Sequence, residues 1–313
     1  MKWEKLGLIF SPDLSLSWQQ SHVQNPFPEQ LSEHVFRIFF ASRDKENTSR
    51  SGYFDLDMRE PFATKNYTRE PILDLGDLGA FDDCGAMPHS IIKMNGEYVL
   101  YYTGWSKAVA TPFTFYIGAA RAATLDGPFT RVSKAPVLGR NYFDPFLTAA
   151  PYVVKVDNYY LMYYVTCIRW EKDGDGNFKH YYTITSATSA DGINWSPNPR
   201  ILVPLEQDEY AIARPVLFAD NGRYELWFSF RGSKTNSYNL GLAVSTDLVN
   251  WKREPVGMQV SEPDAWDSEM ICYAHPFYYK GEKYILYNGN AYGATGVGLA
   301  KMILSPNNFK SYQ

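Results

Sequence analysis

The chain has 313 residues, and its 30 Lys and Arg residues against 34 Asp and Glu residues give a net charge of −4. Proteins that bind nucleic acid neutralise phosphates with basic patches, so this charge balance argues against a nucleic-acid partner. Hydrophobic residues make up 45% of the sequence and aromatic residues 16%. Because aromatic side chains favour pleated, half-buried surfaces, this composition predicts an all-β protein with a sizeable core.

The N-terminal segment predicts a β-strand rather than a targeting signal. Its apolar run, residues 6–10, is shorter than the apolar region of a signal peptide, and no later stretch is long enough to cross a membrane. Three widely separated cysteines, Cys84, Cys167 and Cys272, have neither a disulfide pattern nor a metal-ligand spacing. We therefore expect a cytoplasmic protein with free thiols and no membrane partner.

A hairpin pattern recurs five times along the chain. Each copy begins with an apolar strand that carries a proline, continues through a turn rich in Asn, Asp or Gly, and ends in an aromatic strand. The prolines lie at positions 26, 88, 151, 215 and 276, so consecutive copies are 62, 63, 64 and 61 residues apart. A period of this length indicates a repeat architecture.

A second pattern follows the hairpins and adds two strands to each repeat. A strand of small residues leads to the turns at residues 124–129, 189–195 and 245–251, and a short strand follows each turn. Four strands in each of five repeats predict a five-bladed β-propeller that occupies residues 1–313 as one domain. The fifth repeat lacks its last strand, and residues 3–10 match that strand. We therefore expect the N-terminal strand to close the fifth blade and remove an exposed sheet edge.

Polar residues at the start of each first strand are expected to converge on the central channel. The candidates are Asn25, Asp82, Asp83, Asp144, Arg214, Asp267, Glu269 and His275, with the aromatic residues Trp105 and Tyr210 nearby. Hydrolysis of a glycosidic bond needs one carboxyl group to protonate the leaving oxygen and a second to act as base or nucleophile. A funnel rimmed by carboxylates and aromatic rings therefore predicts a carbohydrate substrate.

The proline-anchored hairpins, the turn at residues 189–195 and the stretch at residues 287–300 resemble the five-bladed propeller glycosidases of glycoside hydrolase families 32, 43, 62, 68, 117 and 130. Asp144 resembles the mid-propeller aspartate of families 32 and 43, and Glu269 resembles their late glutamate. Asn25 stands where those families have a first-blade aspartate, and Asp83 is the candidate replacement. The resemblance implies that Glu269 is the general acid, with Asp83 or Asp144 as base or charge partner.

Two alternatives to a hydrolase stay open. A phosphorylase similar to family 130 would use a single carboxylic acid and bind phosphate through Arg214 and His275. A non-catalytic carbohydrate-binding propeller would arise from the loss of the first-blade acid. We expect Arg43 and Arg231, which end second strands, to form structural ion pairs. No metal or other cofactor is expected, because no complete oxygen cage is visible, with a channel calcium ion as the alternative. The sequence carries no signal for an oligomeric state.

Overall fold

The computed structural model describes residues 1–303 with the exception of residues 64, 221 and 235. Over this part of the chain the protein is built from β-strands, with a single four-residue helical segment. The prediction of an all-β protein is confirmed. All three cysteines are free thiols. No helix among the described residues has the length and apolar character needed to cross a bilayer.

The strands fall into five consecutive units. Unit 1 contains β2 Ser21–Gln30, β3 Val35–Arg43 and β4 Ser49–Asp57. Unit 2 contains β5 Gly85–Met94, β6 Glu97–Lys107, β7 Phe113–Ala122 and β8 Thr130–Arg131. Unit 3 contains β9 Thr148–Val156, β10 Tyr159–Lys172, β11 Phe178–Ser189 and β12 Ser196–Val203. Unit 4 contains β13 Glu209–Asp220, β14 Arg223–Gly232, β15 Asn239–Ser245 and β16 Lys252–Glu254.

Unit 5 combines the two ends of the described chain. It contains β17 Cys272–Tyr279, β18 Glu282–Asn288, the helical segment α1 Asn290–Gly293 and β19 Val297–Met302. The N-terminal strand β1 Trp3–Phe10 pairs antiparallel with β19, which gives a sheet with the order β1-β19-β18-β17. Unit 1 differs from the predicted four strands: in place of a fourth strand, isolated bridges join Phe54 to Tyr67 and Ser51 to Leu73, and β4 also pairs with β5 at Ser49 and Gly85.

Apolar side chains fill the space between each unit and the next. Separate clusters of buried residues join units 1 and 2, units 2 and 3, units 3 and 4, and units 4 and 5. A fifth cluster joins unit 5 to unit 1, with Phe277 and Leu286 packed beside Ile38 and Phe40. The first strands β2, β5, β9, β13 and β17 also pack side by side, and β17 contacts β2. The first strands therefore surround a common axis.

Each first strand carries a register shift close to its proline. The shifts lie between Gln24 and Phe27, Pro88 and Ser90, Ala149 and Tyr152, Ala213 and Val216, and Cys272 and His275. An extra residue in a strand breaks the alternation of its side chains and turns one of them in a new direction. In each first strand, the side chains therefore change direction close to the repeated proline.

Candidate functional site

The first strands begin, and the second strands end, at the same end of the axis. Arg43 ends β3, Arg231 lies at the end of β14, and Tyr273 lies at the start of β17. Tyr292 of α1 and Tyr238, which directly precedes β15, complete this group. We call these five residues the axial mouth.

The axial mouth is held together by an arginine among tyrosines. Nη1 of Arg231 donates a hydrogen bond to the Tyr292 hydroxyl at 3.2 Å. The guanidinium carbon of Arg231 lies 4.8 Å from the centroid of the Tyr238 ring. The Tyr238 ring is 5.9 Å from that of Tyr273 and 6.0 Å from that of Tyr292. Because Tyr238 and Arg231 are only 4% and 8% exposed, the cation lies in an aromatic cage and not in bulk water.

His180 and Tyr210 form the wall of the axial mouth on the side of units 3 and 4. Nε2 of His180 lies 2.6 Å from Nη2 of Arg231. Burial and the charge of Arg231 lower the pKa of His180 to about 3, so its ring is neutral at pH 7 and accepts a hydrogen bond from the guanidinium. The Tyr210 hydroxyl donates to Asn236, and Lys179 Nζ lies 4.3 Å from the Tyr210 ring centroid.

Arg43 supplies a second cation from unit 1. Its Nε donates to Oε1 of Gln24 at 2.9 Å, and burial lowers its pKa. Nη1 of Arg43 donates to Oδ1 of Asn47 at 3.0 Å. Arg43 also interacts electrostatically with Tyr273 and with Tyr292, the tyrosine that accepts a hydrogen bond from Arg231. Burial and the charge of Arg43 lower the pKa of His22 to about 4, so this ring is also uncharged at pH 7.

A third arginine lies deeper along the axis. Arg214 is 2% exposed, and its Nη2 donates to the carbonyl oxygens of Asn25 at 3.0 Å and Pro26 at 2.8 Å. Burial lowers the pKa of Arg214 to about 10, so it stays charged at neutral pH. Burial, together with the charge of Arg214, lowers the pKa values of His89 and His275 well below the usual range. Two of the predicted site residues, Asn25 and Arg214, are thus in direct contact, and their role in ligand binding stays a prediction.

Backbone conformation is unusual around the axis. The non-glycine residues with φ between 49° and 65° include His22, Asn25, Ala150, Arg214, Tyr273, Ala291 and Tyr292. Such left-handed conformations are unfavourable for residues with a Cβ atom and persist where the surroundings enforce them. Here the register shifts of the first strands and the tight segment α1 enforce them; these seven are half of the fourteen non-glycine residues with positive φ in the described part of the chain.

Three of the predicted carboxylates have a different environment from the one expected. Asp82, Asp144 and Asp267 are at most 1% exposed, and each accepts a hydrogen bond from a tyrosine hydroxyl 20 residues later, at 2.8–3.0 Å. The tyrosines are Tyr102, Tyr164 and Tyr287. The three Tyr–Asp pairs repeat once per unit in units 2, 3 and 5, which indicates a structural contact of the repeat.

Additional donors complete these pairs away from the axis. The same oxygen of Asp82 accepts from Nε of Arg131 on β8 at 2.7 Å, and that of Asp267 accepts from Nζ of Lys5 on β1 at 2.6 Å. Asp144 accepts instead from Nδ2 of Asn141 at 2.7 Å. Because β8 and β1 are the outermost strands of their units, Asp82 and Asp267 extend towards the outer edge of the fold and away from the mouth.

Asp83 lies two residues before β5 and Glu269 three residues before β17, at the end of the axis that carries the mouth. Oδ2 of Asp83 accepts from the backbone N–H of Gly79 at 3.0 Å, whereas its Oδ1 is buried without a partner among the described residues. Glu269 is exposed, and Asn290 holds it in place by accepting from its backbone N–H at 2.8 Å. Trp105 lies half-buried over the backbone of Gly85.

The main correction concerns Arg43 and Arg231. Sequence reasoning assigned both to structural ion pairs, but neither lies within 4.0 Å of a carboxylate of the described residues. Their shared position at the end of a second strand was the available signal. Tyr273, Tyr292 and His180 were missed as well, because no short motif distinguishes them from core aromatic residues. No cluster of three or more His, Cys, Asp or Glu side chains suited to a metal occurs in the described part of the chain.

No protein-family model matches the chain. The uncharacterized protein Rv1502 of Mycobacterium tuberculosis strain H37Rv is 38% identical over 303 residues, which span 96% of this chain and 99% of that protein. The uncharacterized protein MT1551 of Mycobacterium tuberculosis strain CDC 1551 matches with the same identity and coverage.

Solved structures with a similar fold include several glycoside hydrolases. A glycoside hydrolase aligns with a TM-score of 0.75 at 15% identity, over 99% of this chain and 95% of its own. A complex of BT0996 with RGII aligns with a TM-score of 0.76 at 14% identity, over 96% of this chain and 91% of the other. A thermostable family-43 glycoside hydrolase aligns with a TM-score of 0.67 at 14% identity, over 91% of each chain. The resemblance to propeller glycosidases is confirmed at the level of the fold.

Proposed function

Because the chain belongs to the protein family of Rv1502 from Mycobacterium tuberculosis and shares its fold with glycoside hydrolases, we propose that it is a glycosidase whose substrate binds at the axial mouth. The five units are then the blades of a five-bladed β-propeller, with β1 as the outer strand of the fifth blade. This arrangement is supported by the apolar cluster between units 5 and 1 and by the pairing of β1 with β19.

One observation carries the proposed chemistry: two carboxyl groups beside the mouth, Asp83 and Glu269, form no ion pair with any described residue. Asp144, the alternative to Asp83, accepts hydrogen bonds from Tyr164 and Asn141 and is 1% exposed. We therefore assign Glu269 as the general acid and Asp83 as the base. Glu269 gives its proton to the glycosidic oxygen, and Asp83 takes a proton from the attacking water.

Aromatic side chains near the mouth are suited to bind the sugar rings. The Tyr210 ring centroid lies 5.1 Å from the guanidinium carbon of Arg231, and we assign Tyr210 and the half-buried Trp105 of unit 2 to sugar binding. Trp170 of unit 3 adds a ring 5.1 Å from that of His180. Flat apolar faces combined with a few polar groups are the usual lining of a small-molecule site.

A phosphorylase is the second candidate, and the buried arginines on the axis favour it. In that reaction phosphate replaces water as the attacking group, and only one protein carboxylic acid is needed. Arg214 of β13 and His275 of β17 are the proposed phosphate ligands; burial and the charge of Arg214 lower the pKa of His275, and Arg214 also donates to the carbonyl oxygens of Asn25 and Pro26.

The test is product release from a panel of aryl glycosides and oligosaccharides, measured with and without phosphate. For a hydrolase, turnover is independent of phosphate and falls by about 10²- to 10⁴-fold in Glu269→Gln, the usual loss for a general acid. Glu262→Gln, which removes an exposed carboxylate from the same segment, is the matched control. Turnover only with phosphate identifies the phosphorylase. Sugar binding without turnover across the panel overturns both enzymes and leaves a carbohydrate-binding propeller.

A further inference from the structure

The arginines of this chain divide sharply by their partners. Among the described residues, nine arginines form an ion pair with a carboxylate: Arg37, Arg50, Arg59, Arg69, Arg121, Arg131, Arg169, Arg223 and Arg253. Of the five that form none, Arg140 and Arg200 are exposed. The other three are Arg43, Arg214 and Arg231, which are buried or half-buried and all lie at the axis.

Such a group of cations is unfavourable unless a negative charge compensates it. Arginine is seldom fully buried without a partner, since moving its charge out of water costs several kcal/mol. The surrounding tyrosines do not supply that charge, because burial raises the pKa of Tyr273 well above 10 and that of Tyr238 to about 12. At neutral pH these hydroxyl groups are therefore neutral hydrogen-bond donors.

Some hydrogen-bond donors at the site have no acceptor among the described residues. The Nε–H groups of Arg231 and Arg214 are buried and have no acceptor among the described residues, and the Tyr182 hydroxyl is in the same state. Arg231 is 92% buried, and its two terminal nitrogens are directed at Tyr292 and His180, both at the mouth. Arg214 instead donates to two backbone carbonyl groups of unit 1. Its charge adds to the positive potential at the axial mouth without a direct contact to the ligand.

We propose that the axial mouth binds a negatively charged substituent of the glycan, a carboxylate or a phosphate, between Arg43 and Arg231. This inference rests on the proposed glycosidase function and adds the class of substrate. A guanidinium matches the oxygen atoms of a carboxylate or phosphate with two parallel donors, and tyrosine hydroxyl groups complete the acceptor's shell. The sugar ring that bears the charge then lies against Tyr210, whose ring centroid is 5.1 Å from the guanidinium carbon of Arg231.

Binding of the whole chain to matched small molecules tests this inference. The probes are glucuronate, galacturonate, glucose 6-phosphate and inorganic phosphate, with glucose and galactose as neutral counterparts, each titrated by calorimetry at low and high salt. We expect at least one charged sugar to bind about tenfold or more tightly than its neutral counterpart, and its affinity to fall as salt increases. Equal affinity for charged and neutral sugars would overturn the inference.

Variants assign the binding to the two arginines. Arg43→Gln and Arg231→Gln are each expected to weaken the charged sugar by about tenfold or more, whereas the exposed Arg200→Gln leaves its affinity unchanged. Arg231→Lys, which keeps the charge but loses the paired donors, should fall in between, and circular dichroism checks that each variant is folded. Unchanged binding in both glutamine variants contradicts the inference.

The remaining outcomes separate this inference from the glycosidase proposal. Tight binding of inorganic phosphate, with no preference for any of the three charged sugars over the neutral ones, contradicts a charged substituent on the glycan and supports phosphorolysis. Arginine-dependent binding of a charged sugar without any turnover supports the anionic subsite and contradicts the glycosidase proposal. Turnover of neutral glycans that does not change in Arg43→Gln or Arg231→Gln supports the glycosidase proposal and contradicts the anionic subsite.

Discussion

Three buried aspartates connect segments of the same unit through hydrogen bonds from tyrosine hydroxyl groups. Asp82, Asp144 and Asp267 share one arrangement, with a tyrosine hydroxyl and one further donor on the same oxygen. A buried carboxylate is tolerated when its acceptors are satisfied, and its removal leaves the donors unpaired. These aspartates therefore connect the loop before a first strand to the second strand of the same unit.

The role of Asp144 is tested by Asp144→Asn. We expect the free energy of unfolding to fall by about 1–3 kcal/mol, because the Tyr164 and Asn141 donors lose a charged acceptor, while turnover per folded molecule stays at the native value. Urea denaturation and steady-state kinetics measure the two effects. An Asp144→Asn variant that is as stable as the native protein but inactive would show that Asp144 is a catalytic residue and not a structural one.

Glu29 gives the stability a pH dependence. Burial raises its pKa from an ordinary 4.5 to about 7. A carboxyl group with a raised folded-state pKa favours the folded state while protonated, and this contribution is lost as the pH rises from about 4.5 to about 7. Glu29→Gln should therefore match the native protein at pH 4 and be more stable at pH 8, by about 1–3 kcal/mol given its partial exposure. Denaturation across this range measures the difference, and a constant difference at every pH would show that Glu29 titrates normally.

Contacts between elements of different units depend on a buried charge network as well as on apolar packing. Lys283 of β18 is fully buried and donates to Asp220 of β13 at 2.9 Å and to Glu225 of β14 at 2.5 Å. Trp227 donates its indole N–H to Glu225 at 2.9 Å, which extends the network into the core between units 4 and 5.

Lys283→Met tests this connection. Lys283→Met removes a fully buried cation from beside Asp220 and Glu225, and Arg223, which lies 3.2 Å from Glu225, compensates only part of the lost charge. We therefore expect a loss of about 3–5 kcal/mol in the free energy of unfolding. The exposed Lys252→Met on β16 is the control and should change stability little. A Lys283→Met variant as stable as the native protein would show that the carboxylates find other partners.

At the scale of the whole molecule, each unit is joined to its neighbours by an apolar cluster, and the last unit is joined to the first. No unit buries its apolar faces alone, so we expect the chain to unfold in one cooperative transition. Trp3 of β1 is 8% exposed, packs edge-on against Trp227 at 5.8 Å and donates to the Val256 carbonyl at 3.0 Å.

Trp3→Ala therefore probes closure by the N-terminal strand. We expect Trp3→Ala to lower the free energy of unfolding by about 3–5 kcal/mol while unfolding stays a single transition. The exposed Lys2→Ala should leave the free energy of unfolding unchanged. Fluorescence and circular dichroism, followed in the same denaturation, should give coincident curves. Two separate transitions in the native protein would contradict a single cooperative domain.

Local sequence patterns predict the all-β character and the spacing of the repeats, because alternating apolar residues, turn residues and prolines act over a few neighbouring positions. The position beside each proline repeats, which is why Asn25, Arg214 and His275 could be proposed together as axial residues. The resemblance to propeller glycosidases followed from the same repeats.

Which of the charged side chains lie near the axis depends on contacts between distant strands, and these contacts cannot be read from local sequence patterns. Asp82, Asp144 and Asp267 appear equivalent to Asp83 and Glu269 in sequence, but hydrogen bonds to tyrosines 20 residues away direct them into the protein. Arg231 of unit 4 donates a hydrogen bond to Tyr292 of unit 5, and Arg43 of unit 1 interacts electrostatically with the same tyrosine, a juxtaposition that no local pattern encodes. The partner of a charged side chain is set by which distant strands pack together, and that packing determines whether the charge is structural or available to a ligand.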